Sequence, residues 1–147
     1  MIYIKSRLHA SLPLERYKKI LERLCEYEGY AGWDISLWCT TDKMIRRFNK
    51  TFRGVDTATD ILSFSLRDGI KPGQRVKQID DVRELGDLII SIHYVQRFCA
   101  KEDVAFDERM TVLLVHGFCH LLGYDHCTEE EYEHMAVKEQ VLVKALL

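Results

Sequence analysis

MTVLLVHGFCHLLGYDH, residues 110 to 126, is apolar on nearly every side through Leu122. A helix with that pattern has no face to offer solvent and belongs in the centre of the fold. After Thr111 the polar exceptions are His116 and His120. Four residues apart on a helix, they stand about 40° apart on one face and about 6 Å apart along the axis, so the two imidazoles can share one ion. Gly123 can take the positive φ that ends a helix, letting Tyr124 and Asp125 carry the chain back and present His126 as a third ligand. Three protein ligands leave one position open for water, the arrangement of a catalytic zinc rather than a closed structural one. One zinc ion per chain is expected, although three imidazoles also accept nickel or copper. A closed site needs a fourth ligand, and Cys119 and Cys127 are the neighbouring candidates. Cysteine more often packs as a small buried apolar residue.

Spacing of this kind also occurs in the metzincin peptidases, H-E-x-x-H-x-x-G-x-x-H, where a glutamate directly after the first histidine serves as general base. Here that position is Gly117. A peptidase of that type would lack the group that takes the proton from water, a contribution of roughly 10²–10⁴-fold.

Working outward, IYIK (2–5) is short and favours a strand, and Pro13 stands where a helix can begin. Leu14, Tyr17, Ile20, Leu21, Leu24 and Tyr27 recur at three and four, predicting a helix over 14–28 stopped by Gly29. DISLWCT (34–40) alternates Ile35, Leu37 and Cys39 against Ser36 and Trp38, as a strand does. Thr41 or Asp42 can cap a helix over 42–52, followed by a strand over 58–66. The polar stretch 67–84, broken by Gly69, Pro72 and Gly73, reads as a long mobile loop. GDLIISI (86–92) is a buried strand that runs into a helix through Tyr94, Val95, Phe98 and Cys99. Asp103 is placed to cap the central helix, and glutamates open a last helix ending near Leu146. The mixture predicts an α+β single domain, a small mixed β-sheet packed against helices.

Residues 42–54, DKMIRRFNKTFRG, point to the partner. On a helical wheel Lys43, Arg46, Arg47 and Lys50 fall within about 100° of one another, while Met44, Ile45, Phe48 and Phe52 take the opposite, packing side. A solvated cationic face is the usual reason for such a stripe, and RNA phosphate is the alternative. Arg53 lies apart from the stripe, at the helix exit beside Gly54. A fixed guanidinium near a zinc-bound water could clamp a phosphodiester oxygen and offset charge in the transition state.

With 147 residues, 47% of them apolar, the chain has enough material for one real core, and a formal charge of −2 rules out a globally basic nucleic-acid binder. No apolar run approaches the ~20 residues of a spanning helix and no export signal opens the sequence, so a cytoplasmic protein without membrane contact is expected. Five scattered cysteines, with no C-x-x-C pair, suit reduced thiols.

HGFCHLLGYDH closely resembles the H-G-x-x-H-L-x-G-Y-D-H signature of the YbeY endoribonucleases, the rRNA maturation factor family. FNKTFRGVDTATDILSF resembles that family's N-x-x-(Y/F)-R-G-x-D-x-x-T-(D/N)-V-L-S-F segment, and ELGDLIIS resembles its L-G-D-(I/L)-x-I-S stretch. Order and spacing agree over roughly residues 42 to 140. The resemblance implies a metalloprotease-like (zincin-like) α+β fold and a zinc-dependent, single-strand-specific endoribonuclease. Its substrate would be an rRNA precursor, in 16S rRNA 3′-end maturation and quality control on the ribosomal small subunit, with no role for DNA. It carries the ligand role to His116, His120 and His126, and the catalytic, phosphate-binding role to Arg53. Asp87 and Asp125 match family positions too, where support of a ligand histidine and an ordinary turn role are equally open. A zinc peptidase without its usual base and a non-catalytic ribosome-assembly module with structural zinc are the competing readings.

Overall fold

A computed structural model describes residues 1–6, 8 and 11–147. Its strands are β1 (Ile2–Ser6), β2 (Asp34–Thr40), β3 (Ile61–Ser65) and β4 (Glu84–Ser91); its helices are α1 (Leu14–Tyr27), α2 (Asp42–Arg53), α3 (Ile92–Glu102), α4 (Phe106–Leu121) and α5 (Glu129–Leu146). The strands form one sheet in the order β1-β2-β4-β3, with β1, β2 and β4 parallel and β3 antiparallel at the edge. This is the small mixed sheet against helices that the sequence predicts.

The two-residue alternation of β2 decides its faces. Ile35, Leu37 and Cys39 join Leu88 and Ile90 of β4 in the main core with α1, α4 and α5. On the other face Ile45 of α2 packs with Leu62 and Ile89 in a smaller cluster edged by Trp38, Phe48 and Phe64. Helix α4 is the hub: from Leu113 to Leu122 only His116 and His120 are not fully buried. It lies so close to the sheet at Gly117 that a Cβ there would stand 2.7 Å from Ile61 Cδ1 and 2.9 Å from Leu88 Cδ2.

Several boundaries differ from those predicted, each for a local reason. Asp103 does not cap α4; at φ 54 it closes α3 in the left-handed region, and Ala105 precedes α4 without a side-chain cap. β3 begins only at Ile61, because Asp60 turns its carboxylate back to accept from the Ile61 amide. β4 starts two residues early, its Glu84 pairing with Asp34 of β2. Tyr27 is exposed and Cys25 takes its place on the buried face of α1. Phe52, expected to pack, is 63% exposed.

The 67–84 loop is tied down at several points. Val76 is buried, and its amide donates to the Tyr30 hydroxyl at 2.9 Å. The Arg75 guanidinium lies 4.0 Å from the Tyr30 ring centre and donates to the carbonyls of Glu28 and Gly29 at the end of α1. Near its start, Ile70 crosses directly over Gly123.

Phe118 is fully buried in α4, so Phe118→Ala is expected to cost about 3–5 kcal/mol, from lost transfer energy and the cavity left behind. Denaturant unfolding checks it; a loss below about 1 kcal/mol would mean that α4 is not the hub of the core.

Candidate metal centre and its cleft

His116 and His120 stand on the last turns of α4 and are the polar groups of its buried C-terminal half. The helix is closed by amides of Gly123 and Tyr124, which donate to the His120 and Cys119 carbonyls at 3.0 and 3.1 Å. Gly123 takes φ +95, and a Cβ there would meet the Ile70 carbonyl oxygen at 2.3 Å, so both backbone conformation and close approach require glycine. Buried Tyr124 then anchors the returning chain, and Asp125 accepts from the His126 amide at 2.8 Å. That bond holds the Asp125 carboxyl below its ordinary range. Asp125 thus fixes the backbone that presents His126.

One ring nitrogen from each of His116, His120 and His126 lies within 4.8 Å of the others. The Nε2 atoms of His116 and His120 are 3.1 Å apart, close to the ~3.3 Å that separates two nitrogens on a tetrahedral zinc with Zn–N bonds near 2.05 Å. The tautomers follow from the outer contacts. His120 Nδ1 lies 2.8 Å from the Tyr124 carbonyl, which can only accept, so Nδ1 carries the proton and the Nε2 lone pair faces inward. His116 Nδ1 lies 3.5 Å from a Glu139 carboxylate oxygen, which favours the same tautomer. Two inward lone pairs this close repel unless a cation lies between them, and the donor set fits a divalent ion.

Glu139 escaped the sequence reading. It sits on α5 four residues after buried Met135 and three before buried Leu142, so the signal was a carboxylate on an apolar helix face. Asp87 is far from this role: it is exposed on β4 and lines a groove with Trp38 and Phe64, away from the histidines. Cys119 is wholly buried, with its thiol pushed up to about 12 chiefly by burial. Among the described residues it is no part of the histidine group, nor is exposed Cys127, which groups instead with Asp125 and Glu131.

The histidines open into a cleft of about 850 Å³ that is also lined by Phe52, Arg53, Ser63, Phe64 and Arg67. Thr41 caps α2, its hydroxyl accepting from the Met44 amide at 3.3 Å, and Gly54 ends the helix at φ 71, so Arg53 projects from a defined terminus. The exposed Cys127 thiol beside the cleft is raised mainly by its hydrogen bond to Asp125. Lys43, Arg46, Arg47 and Lys50 do not line this cleft. Arg46 pairs with Asp56 at 2.9 Å and Lys50 approaches the same carboxylate at 3.9 Å, so half the stripe is engaged with an acidic residue. Gly117 faces Ile61 and Leu88, and no glutamate fits in that space.

Burial, and then neighbouring His116, hold the His120 pKa below its ordinary 6.5. The folded chain therefore binds this proton less readily than the unfolded chain. In the metal-free protein the group costs nothing above about pH 6.5 and removes stability as pH falls from there through the lower folded value. Imidazole proton NMR of chelator-treated protein should show His120 titrating below 6.5; a midpoint above it would contradict a desolvated, ligand-ready site.

Among the described residues, no helix is long and apolar enough to cross a membrane. The family model for endoribonuclease YbeY matches residues 4–147. A protein of Heliobacterium modesticaldum named endoribonuclease YbeY is 38% identical over 137 residues, covering 87% of this chain and 82% of its own length. Namesakes from Bacillus cytotoxicus and Homo sapiens are 36% and 32% identical, over 87% and 91% of this chain and 83% and 78% of their own lengths. The solution structure of TM1509 from Thermotoga maritima superposes with a TM-score of 0.67 at 25% identity, covering 99% of this chain and 88% of that one. With a family model spanning nearly the whole length and relatives above 30% identity, the chain belongs to the endoribonuclease YbeY family.

Proposed function

We propose that this chain, a single domain, is a metal-dependent endoribonuclease that hydrolyses phosphodiester bonds in single-stranded RNA. The observation that carries the reading is the convergence of three imidazoles in a cleft that Arg53 also lines. The name shared by its relatives supports the same class of reaction. Zinc is the ion proposed for His116, His120 and His126, with nickel as the alternative. Such an ion supplies Lewis acidity toward a phosphoryl oxygen and acidifies water. The chain's own contributions are specific. The Tyr124 carbonyl and Glu139 hold two imidazoles in the ligating tautomer, and Asp125 fixes the loop of the third. Arg53 grips a non-bridging oxygen of the scissile phosphate and offsets the charge that accumulates there.

RNA is favoured over a peptide because the metzincin base position is a packing contact, while a guanidinium shares the cleft. The absence of a fourth ligand in the histidine group, among the described residues, favours a reactive site over a structural one. The motif resemblance supports an rRNA precursor as substrate, processed at the 3′ end of 16S rRNA on the small ribosomal subunit in the cytoplasm. The exposed cations of α2, Lys43 and Arg47 above all, serve this substrate as backbone contacts that position without reacting.

His120→Ala is expected to abolish stoichiometric metal in protein purified and analysed by elemental spectrometry. A full equivalent retained by that variant would remove the triad.

Arg53→Glu is expected to leave metal content intact and to move stability by only about 0.5 kcal/mol, as exposed charge swaps do, while cleavage collapses. Arg53→Lys should recover little, because an ammonium lacks the two-pronged grip of guanidinium on phosphate. The assay is cleavage of a structured RNA with a single-stranded 3′ extension; wild-type rates from Arg53→Glu at saturating RNA would take Arg53 out of the mechanism.

A further inference from the structure

Phe52 is out of place for a structural residue. It is 63% exposed at the end of α2, directly before Arg53 in the chain. Its ring is nevertheless ordered by neighbours: Phe48 lies nearly parallel at 6.0 Å and Phe64 of β3 meets it edge-on at 5.3 Å. Exposure alone is ordinary, since Tyr132 is equally exposed; what marks Phe52 is that its ring continues an aromatic surface formed with Phe48 and Phe64.

Position supplies the use. Phe52 and Phe64 line the histidine cleft on one side and, on the other, a groove of about 620 Å³ across the sheet face that α2 leaves partly open. That groove continues past Trp38 and Tyr3 to Lys5, whose ammonium lies 5.2 Å from the Trp38 ring centre. Aromatic rings, Phe52 and Tyr3 exposed and Phe64 and Trp38 half-buried, therefore run out of the cleft between cations, Arg53 at one end and Lys5 at the other. Single-stranded nucleic acid has the complementary make-up, flat bases alternating with anions, and is bound by stacking on rings beside a cationic track.

We propose that Phe52, backed by Phe48 and Phe64, is the platform on which an unpaired RNA base next to the scissile phosphate stacks, with the strand leading on into the Trp38 groove. The proposal rests on the endoribonuclease reading and deepens it, because it gives a physical source for single-strand selectivity. In a duplex each base is already stacked and paired, and its face is not available to a protein ring; an unpaired base is free to be splayed onto one. Arg53 holds the phosphate and Phe52 the adjoining base, so two consecutive residues set the register of cleavage. Asp87, the one carboxylate among the described groove residues, is a hydrogen-bond acceptor for the amino groups of a base lying there.

The test uses the metal-loaded full chain and an RNA hairpin whose single-stranded 3′ extension carries 2-aminopurine beside the cleavage site. Phe52→Ala should raise KM roughly tenfold, within the range that stacking one base supplies, with kcat changed far less. It should also abolish the fluorescence quenching seen when wild type binds. Metal content and melting temperature should hold, because the ring is exposed, and Phe52→Trp should restore both KM and quenching. A merely structural role would move the melting temperature and would not be rescued by tryptophan. If wild type cleaves and Phe52→Ala keeps its KM and quenching, the platform is overturned while the endoribonuclease reading stands, and the aromatic face then serves a partner other than RNA. If wild type fails to cleave any RNA, the reading itself fails, whatever Phe52 does.

Discussion

The contact between α4 and the sheet at Gly117 sets the position of almost everything else. Interiors are packed at crystal-like density, and here the fit leaves no room for one methyl group before Ile61 and Leu88 are met. That closeness fixes both the height of α4 above β3 and β4 and its rotation. The rotation turns Leu113, Leu114, Val115, Phe118 and Cys119 into the core and leaves His116 and His120 at its margin. The residue that makes the central packing possible is thus also the one whose smallness removes the base of a peptidase. Fold and choice of chemistry meet in a single missing side chain.

Around the two helical histidines the protein assembles acceptors. A backbone carbonyl faces one outer nitrogen and a carboxylate faces the other, so both protons lie outside and both lone pairs inside. The third imidazole comes from a loop that is itself over-determined: Tyr124 is buried beneath it, Asp125 bonds its backbone, and Ile70 closes over Gly123. The 67–84 segment, bound to the end of α1 through Arg75 and Val76, is therefore a wall of the site as well as a connection between strands.

What the sequence made legible was local. The four-residue histidine spacing, the glycine turn and the alternation of β2 are consequences of helix and strand periods, and each stands as read. The losses were contacts between distant residues or positions where one residue type serves two purposes. Asp103 could end one helix or begin the next, and only its left-handed backbone tells which. The stripe on α2 looked uniformly cationic because Asp56, which neutralises part of it, comes after the helix has ended. Phe52 shares a wheel sector with Phe48, but at the helix terminus that sector meets the edge of β3 and solvent. Glu139 and the packing around Gly117 depend on α5 and β3, elements far from the motif in sequence.

All three imidazoles come from residues 116–126, a span that one helix end and one turn complete. A cation held by them bridges no distant parts of the chain, and the loop it closes is short, so it removes little entropy from the unfolded chain. In the proposed function such a cation would be a reagent seated in a finished scaffold rather than a rivet. On the proposed reading, the polypeptide would reach its compact state first and acquire its ion afterwards, because apolar packing holds α4 in place.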